Sequence, residues 1–500
     1  MVNQIKYGAV ISYAALFINI LIGLVYTPWM INSIGKADYG LYTLAFSVIQ
    51  IFVFDFGLSQ AVTRFVAKYL AEGRQDKANQ LIGVTYKLYL VADVVIFTLL
   101  VGVFFFIPDI YKGLTPEELH KFKVVYAVAA IFSVFSFPFI PLNGIISANE
   151  KFIQLKFCDL VHKIITVVLM TGCLLLGYGL YALVIVNAIS GIATILLKLI
   201  VVRRKTQMRI EWHFWDKDML KAILGFSVWV TVAALAQRCV LNICPSILGM
   251  VSDSQNIAIF GIAMTIEGYV YTFASAINGL FLPKVTRMVA NNQNDDILPL
   301  MIKVGRIQFY IIGMIFLGFI CVGQNFINVW VGGDFSDVYL CAILMIAPSF
   351  ISLAQEIGAT TVIVQNKVKK SAKISVIKAV LNLGLGYPLA KVMGVQGMAI
   401  SIFISYAVST VLFNRLYHYN LGINIPSFFK ESLFKMGGFM LIVCALCYSM
   451  NIVLNNSGWI HFIIKFMIFI LVYNVIMFAM CLNRDEKNLL TSPFKKYISR

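Results

Sequence analysis

The sequence predicts an all-α polytopic membrane protein with about fourteen transmembrane helices. Of its 500 residues, 60% are hydrophobic and 13% are charged. The apolar residues fall in runs of about 20, the length that a helix needs to cross about 30 Å of hydrocarbon. These runs show no alternation of period two, so helices are predicted rather than the strands of a barrel.

The apolar runs fix the order of the predicted helices along the chain. Each run is apolar enough to span the membrane as a helix. In chain order the predicted spans are 8–30, 39–63, 80–107, 124–147, 157–176, 179–202, 218–249, 257–282, 303–323, 338–364, 374–393, 395–417, 432–453 and 459–482.

The basic residues predict the orientation. There are 40 Lys and Arg against 23 Asp and Glu, a formal net charge of +17. With the N-terminus in the cytoplasm, most of the basic residues fall on the inner side, where positive residues of membrane proteins accumulate. Both termini are therefore predicted to be cytoplasmic. Insertion and anionic inner-leaflet lipids account for this charge, so no nucleic-acid partner is expected.

The cysteines predict neither a disulfide framework nor a metal site. All nine lie in or beside apolar spans. Cysteine in that setting behaves as a small buried hydrophobe. The sequence also lacks a Gly-rich phosphate loop, a metal-spaced His cluster and a nucleophile elbow, so no cofactor and no enzymatic activity are predicted.

The two halves of the chain resemble each other. The segment GAVISYAALFINILIGLVYTP at 8–28 aligns with GFSVWVTVAALAQRCVLNICP at 225–245, and TRFVA at 63 aligns with TRMVA at 286. Similar offsets recur over six spans, which indicates a duplicated six-helix unit. The predicted domains are an N-terminal bundle (1–205), its repeat (206–420), and two additional helices with a basic cytoplasmic tail (421–500).

The repeat predicts how the protein works. Six helices are an even number, so both copies enter the membrane with the same polarity. Parallel repeats of this kind place a cavity between two bundles, and rocking of the bundles opens that cavity to either side in turn. The predicted mechanism is therefore alternating access.

Several motifs resemble the polysaccharide transporter family. They are YGLY at 39–42 after the turn SIGKAD, DFGL at 55–58 followed by Arg64 and AEGR, and the glycine starts of the sixth and twelfth spans. The resemblance covers roughly residues 1–420. The family comprises the Wzx-type flippases of lipid-linked oligosaccharides and belongs to the MATE-like multidrug/oligosaccharidyl-lipid/polysaccharide superfamily.

The resemblance implies a function, a location and partners. Such family members move an undecaprenyl-diphosphate-linked glycan, a repeat unit of O-antigen, capsule or exopolysaccharide, from the inner to the outer leaflet of the bacterial cell membrane. It implies a monomer that contacts membrane lipid and works beside a polysaccharide polymerase and glycosyltransferases. The coupling ion would be H⁺ or Na⁺. Lipid II flippases are similar, but span 1 of this chain contains no Arg, which disfavours that substrate.

Two other functions stay open on the sequence. A cation-coupled multidrug exporter of the MATE type shares the predicted fold, although its lipophilic cations would disfavour a buried Arg. A membrane-embedded glycan-modifying enzyme is the other alternative. Such an enzyme would be expected to carry a sizeable outer loop or a His/Asp pair at one face, and the sequence has neither.

Intramembrane polar residues without a polar counterpart in the other repeat predict the functional site. Ionisable groups in spans are costly and mark function by default. Arg238 lies opposite Leu21 in the repeat, and Glu267 opposite Phe46. Both are predicted about 22–24 Å from the inner face, where Arg238 would hold an anionic head group and Glu267 would compete for it. A structural ion pair is the alternative.

Further polar residues extend the predicted site. Thr231 and Asn242 share the helix face of Arg238, and Tyr271 and Asn278 share that of Glu267. Span 1 carries a polar stripe with Ser12, Asn19 and Tyr26 at sevenfold spacing, suited either to sugars or to helix–helix hydrogen bonds. The predicted substrate-binding residues are Arg238, Asn242, Glu267, Tyr271, Asn278, Asn19 and Tyr26.

Carboxylates and lysines complete the set of candidate polar residues in the predicted spans. Asp55, about 12 Å from the inner face, is predicted either to couple an ion or gate the route, as Glu267 would, or to hold Arg64 or Lys68 structurally. Lys378 and Lys465 are predicted to extend their ammonium groups to the membrane surface.

Overall fold

The fold is that of a helical membrane protein in a computed structural model, which describes residue 17 and residues 20–275, 281–453, 458–483 and 486–487. Every element in these ranges is a helix or a helical turn, which confirms the all-α class. The helices up to residue 275 are α1 (Ile20–Ile34), α2 (Lys36–Phe52), α3 (Leu58–Ala71), α4 (Gln75–Ile110), α5 (Pro116–Ser136), α6 (Pro141–Ala148), α7 (Phe152–Leu175), α8 (Leu180–Lys205), α9 (Lys217–Leu241), α10 (Ile243–Val251) and α11 (Ser254–Ser275).

The remaining helices include the longest in the chain. They are α12 (Leu282–Ala290), α13 (Ile297–Trp330), α14 (Asp337–Ala354), α15 (Glu356–Val364), α16 (Val368–Leu421), α17 (Ile425–Phe429), α18 (Lys435–Val453) and α19 (Trp459–Ile476). Single π-helical turns precede α18 (Lys430–Phe434) and follow α19 (Met477–Cys481).

Membrane crossing follows from helix length and composition. Within the described ranges, nine helical segments are long and apolar enough to cross a membrane, and α1 is a shorter apolar helix. The 54-residue α16 joins two predicted spans at Gly394, whose φ of 56° lies in the left-handed region. Glycine adopts that conformation without a Cβ clash. The protein is a multi-pass membrane protein, and the count of fourteen crossings stays a prediction.

The chain divides into two compact units. The first contains residues 1–261 and 375–398, and the second contains residues 262–374 and 399–500. These boundaries differ from those of the predicted repeat, because the first half of α16 packs with the first unit. The predicted domains at 1–205, 206–420 and 421–500 therefore stay a prediction from sequence similarity.

Helices of the first unit approach one another closely. At Gly40 on α2, a Cβ would lie 1.9 Å from the backbone oxygen of Ser254 at the start of α11. No other residue fits there without separating the two helices, because a contact below 3 Å is repulsive. This glycine belongs to the YGLY motif, so the motif has a packing role.

The second predicted span, 39–63, is not one continuous helix. The helix α2 ends at Phe52, and α3 begins at Leu58 after Phe56 and Gly57, whose φ values of 49° and 69° are left-handed. Contacts from α9 hold this break: Thr231 Oγ1 donates to the Phe56 carbonyl at 2.6 Å, and Val230 packs on Gly57. Such distant contacts are invisible in local periodicity.

A buried arginine organises the second unit. Arg306 on α13 donates from Nε to Glu486 Oε1 at 2.6 Å and from Nη2 to Oε2 at 3.0 Å. It also donates to the carbonyls of Glu431 at 3.0 Å and Cys481 at 2.7 Å. Those two carbonyls belong to the two π-helical turns. The guanidinium thus connects α13 to the turn before α18, to the turn after α19, and to Glu486 beyond that turn.

Two lysines are buried where the sequence predicts surface-reaching side chains. Lys378 on α16 is 8% exposed and Lys465 on α19 is 3% exposed. The prediction that they reach the membrane surface is wrong. Lys378 instead donates to Gln237 Oε1 at 2.8 Å, so a neighbouring helix supplies the acceptor that the surface would have supplied.

Candidate functional site

A polar cluster in the first unit is built around Arg238. This residue lies 13 positions before Val251, the end of the α9–α10 segment, and is therefore about 20 Å along the helix from it. Arg238 Nη1 donates to the Gln50 carbonyl at 3.1 Å and to Gln50 Oε1 at 3.2 Å. Asn242 Nδ2 donates to the same Oε1 at 2.9 Å. We call Gln50, Arg238 and Asn242 the arginine cluster.

The arginine cluster leaves hydrogen-bonding capacity unused. A guanidinium has five N–H donors, and the contacts to Gln50 use those on Nη1. In the described part of the first unit, no carboxylate pairs with Arg238 and its Nε and Nη2 donate to no protein acceptor. Gln50 is exposed, and Arg238 and Asn242 are partly exposed. The cluster therefore presents an accessible, uncompensated positive charge within a span.

A second cation contacts α9 at the residue next to Arg238. Lys378 of α16 contacts Gln237, the neighbour of Arg238 in sequence, and Asn382 one turn further donates to the Val240 carbonyl at 3.1 Å. Asn382 is fully buried. These contacts hold α16 against α9. They therefore help to fix the rotation of α9 about its own axis, which directs Arg238 towards Gln50.

Asp55 caps a helix. Its Oδ1 accepts from the Ser59 backbone N–H at 3.0 Å and from the hydroxyl of Tyr89 on α4. A side-chain oxygen that accepts from a first-turn N–H is how a cap stabilises a helix start. The observed contacts of Asp55 therefore stabilise the break between α2 and α3. Lys68, one of the two cations predicted to pair with Asp55, pairs with Glu72 at 3.9 Å.

The other predicted site residues are distributed between the units. Tyr26 on α1 belongs to the first unit, and within the described residues its buried hydroxyl has no hydrogen-bond partner. Glu267 and Tyr271 on α11 belong to the second unit, where Tyr271 is 51% exposed. The predicted pairing of Arg238 with Glu267 thus joins different units and stays a prediction. Asn19 and Asn278 lie outside the described residues.

Sequence reasoning missed the acceptor of the cluster. Gln50 is the partner shared by Arg238 and Asn242. In the sequence, the sign of this role is that Gln50 is an amide within the otherwise mostly apolar run from Leu44 to Phe54. The spacing of Thr231, Arg238 and Asn242 did predict one helix face, and all three contact the α2–α3 segment.

The fold is similar to those of solved membrane transporters. It is similar to an inward-facing MATE multidrug resistance transporter, with a TM-score of 0.68 and 15% identity over 83% of this chain and 98% of that one. It is also similar to the lipid II flippase MurJ in an inward closed conformation, with a TM-score of 0.65 and 14% identity over 98% of each chain. At such identities the likeness shows the fold alone.

The chain belongs to the polysaccharide biosynthesis protein family, whose model matches residues 5–289. The matched part is more than half of the chain and contains the arginine cluster. A curated relative is the uncharacterized membrane protein EpsK of Bacillus subtilis (strain 168), which is 20% identical over 97% of both chains. The family predicted from the motifs of the first 420 residues is thereby confirmed.

Proposed function

We propose that this protein is a flippase that translocates an undecaprenyl-diphosphate-linked oligosaccharide from the inner to the outer leaflet by alternating access. The observation that carries the proposal is the arginine cluster: a guanidinium inside a span with neutral acceptors on one side and free donors on the other. A diphosphate accepts hydrogen bonds from a guanidinium in bidentate geometry. Arg238 would therefore hold the anionic head, with Asn242 beside it.

The family and the physical task support this substrate. The matched family acts in polysaccharide biosynthesis, and moving sugars through hydrocarbon would strip many polar groups of their partners, at about 2–7 kcal/mol for each. Tyr271 and Asn278, with Asn19 and Tyr26, would contact the sugar. Coupling to H⁺ or Na⁺ would use Glu267 or Asp55. No cofactor is needed, because transport makes and breaks no covalent bond.

The proposed setting is the bacterial inner membrane, with both termini in the cytoplasm. The protein would act as a monomer, with glycosyltransferases supplying the glycan and a polymerase consuming it. The MATE likeness raises the alternative of a multidrug exporter. An uncompensated guanidinium repels lipophilic cations, so the arginine cluster favours an anionic cargo.

The test compares Arg238→Ala with Arg204→Ala, a control that removes an exposed cation from the last turn of α8. Purified protein is reconstituted with fluorescent undecaprenyl-diphosphate glycan, and a membrane-impermeant glycosidase reports the outer-leaflet fraction. Arg238→Ala should abolish transport while the protein stays folded and inserted, and Arg238→Lys should restore only part of it. Wild-type transport by Arg238→Ala would exclude the proposed role.

A further inference from the structure

The first unit contains a cavity of about 400 Å³ that is separate from the arginine cluster. Asp159 lies seven residues after the start of α7, and Lys198 seven residues before the end of α8, so the cavity is about 10 Å from the helix ends at one membrane face. The walls come from the end of α5, its 3₁₀ turn, α6, α7 and α8. The residues that line it are Phe132, Ser136, Phe139, Ile140, Asn143, Asp159, His162, Gly191, Thr194, Ile195 and Lys198.

His162 presents a hydrogen-bond acceptor to this cavity. Its Nδ1 lies 2.9 Å from Thr194 Oγ1 and 3.3 Å from the Ser190 carbonyl. The Thr194 hydroxyl donates its own proton to that carbonyl at 2.8 Å, so both neighbours of Nδ1 act as acceptors. A proton on Nδ1 satisfies both acceptors, and in that tautomer Nε2 is an acceptor. No described residue donates to Nε2.

Asn143 supplies a second polar side chain to the cavity wall. Its Oδ1 is buried, and among the described residues no donor reaches it. A buried carbonyl oxygen without a donor destabilises a protein, so such groups are normally satisfied by protein, water or ligand. The cavity wall thus carries two polar side chains, Asn143 on α6 and His162 on α7, which suit a ligand with hydroxyl groups.

The charges disfavour a cation. Lys198 Nζ lies 3.3 Å from Asp159 and Lys156 Nζ lies 3.8 Å from it, so two ammonium groups share one carboxylate. The local excess is positive, which repels a metal ion or a lipophilic amine. A neutral or acidic ligand with hydroxyl groups fits both the charge and the two polar side chains.

Aromatic faces complete the wall. Phe132 and Phe139 line the cavity on the α5 side. At Gly191 on α8 a Cβ would lie 2.1 Å from Cζ of Phe132, so the glycine allows that ring to lie against α8. Apolar rings with a few fixed polar groups are typical of sites that bind and orient a small ligand.

We propose that this cavity is a saccharide subsite. Hydroxyl groups of a sugar pair with His162 Nε2 and with the side-chain amide of Asn143, and the C–H face of the ring packs on the phenylalanines. The cavity accepts one part of the glycan at the membrane face where α6 ends and α7 begins. This inference rests on the proposed function, because it assumes a lipid-linked glycan as cargo.

The test observes His162 directly in the wild-type protein. The chain has five His, so ¹³Cε1-histidine NMR in detergent gives few signals, and His162→Gln assigns the relevant one. Three probes are compared: the lipid-linked oligosaccharide fraction of the source cells, undecaprenyl diphosphate without sugar, and phosphatidylglycerol, whose glycerol head also carries hydroxyls. The glycan-bearing lipid alone should shift the His162 signal.

Variants measure the contribution of the Asn143 side chain to ligand binding. Asn143→Leu should weaken binding of the glycan-bearing lipid about 3- to 10-fold, the effect of one neutral hydrogen bond. Asn149→Ala, at the end of the same helix and outside the cavity lining, is the matched control and should bind like wild type. Thermal melting verifies that both variants are folded.

The outcomes separate this inference from the proposed function. If the glycan-bearing lipid binds saturably while the His162 signal stays fixed, the subsite is excluded and the flippase proposal stands. A shift with phosphatidylglycerol would make the cavity a lipid head-group site and overturn the saccharide assignment. Absence of saturable glycan binding, together with absence of transport by the reconstituted wild-type protein, would overturn both proposals.

Discussion

Removing Glu486 should destabilise the second unit more than removing its partner Arg306 does. Both side chains are 5% exposed, and they form two short hydrogen bonds. Glu486→Leu leaves the guanidinium buried without its counter-ion, and loss of one partner of a buried pair costs about 3–5 kcal/mol. In Arg306→Met, the carboxylate lies beyond the last span and regains water, so the cost should be smaller.

The assay is a double-mutant cycle. Thermal unfolding of wild type, Glu486→Leu, Arg306→Met and the double variant is followed by circular dichroism in detergent. An apolar pair of similar volume often replaces a buried ion pair at no net cost, so the double variant should melt near wild type. Equal losses in the two single variants, or additive losses in the double variant, would refute the reasoning.

Acid should remove the contribution of Glu486. Burial opposes its ionisation, but the hydrogen bonds from Arg306 and the Asn483 backbone N–H outweigh burial, so the pKa of Glu486 is lowered. A carboxyl with a lowered folded pKa stabilises the protein above its unfolded pKa of about 4.3 and loses that effect as the pH falls through the folded pKa. The difference between wild type and Glu486→Leu should persist from pH 7 to about 5 and shrink below about 4.

Two further predictions concern the first unit. Gly40→Ala should destabilise the protein by at least about 1–3 kcal/mol, because its Cβ meets the Ser254 backbone. The control Gly102→Ala should not destabilise it, because a Cβ there has nothing within 4 Å. The melting temperature and the monodisperse fraction are measured for both variants. Asp55→Ala should cost about 0.5–2 kcal/mol through loss of the α3 cap, and Asp55→Asn, which keeps an acceptor, should melt closer to wild type. Equal melting of the two Asp55 variants would contradict the capping role.

The sequence predicted most helices because their cause is local. A continuous apolar run that must satisfy its own backbone in lipid can only be a helix, and Gly394 marks the joint inside α16 where such runs meet. The break at 53–57 was missed for the opposite reason. It depends on α9 side chains more than 170 residues away, such as Thr231 on the Phe56 carbonyl.

The candidate site was predictable only in part. Composition and the repeat selected Arg238, and helical spacing added Asn242. Their shared acceptor Gln50 belongs to another helix, so only tertiary structure could identify it. Lys378 shows the same limit of sequence analysis. Whether its ammonium group reaches the membrane surface or is buried depends on Gln237, which belongs to a distant segment of the chain.

Arg238 and Arg306, which both lie in predicted spans, show why position in a span alone does not distinguish structure from function. Arg306 donates to a bidentate carboxylate and two backbone carbonyls, so nearly every donor is used and the charge is neutralised inside the protein. Arg238 is held through one nitrogen by a neutral amide and a carbonyl. A saturated guanidinium has nothing left to offer a ligand. The partly saturated one keeps its orientation and its charge, which are the two properties that binding of an anion requires.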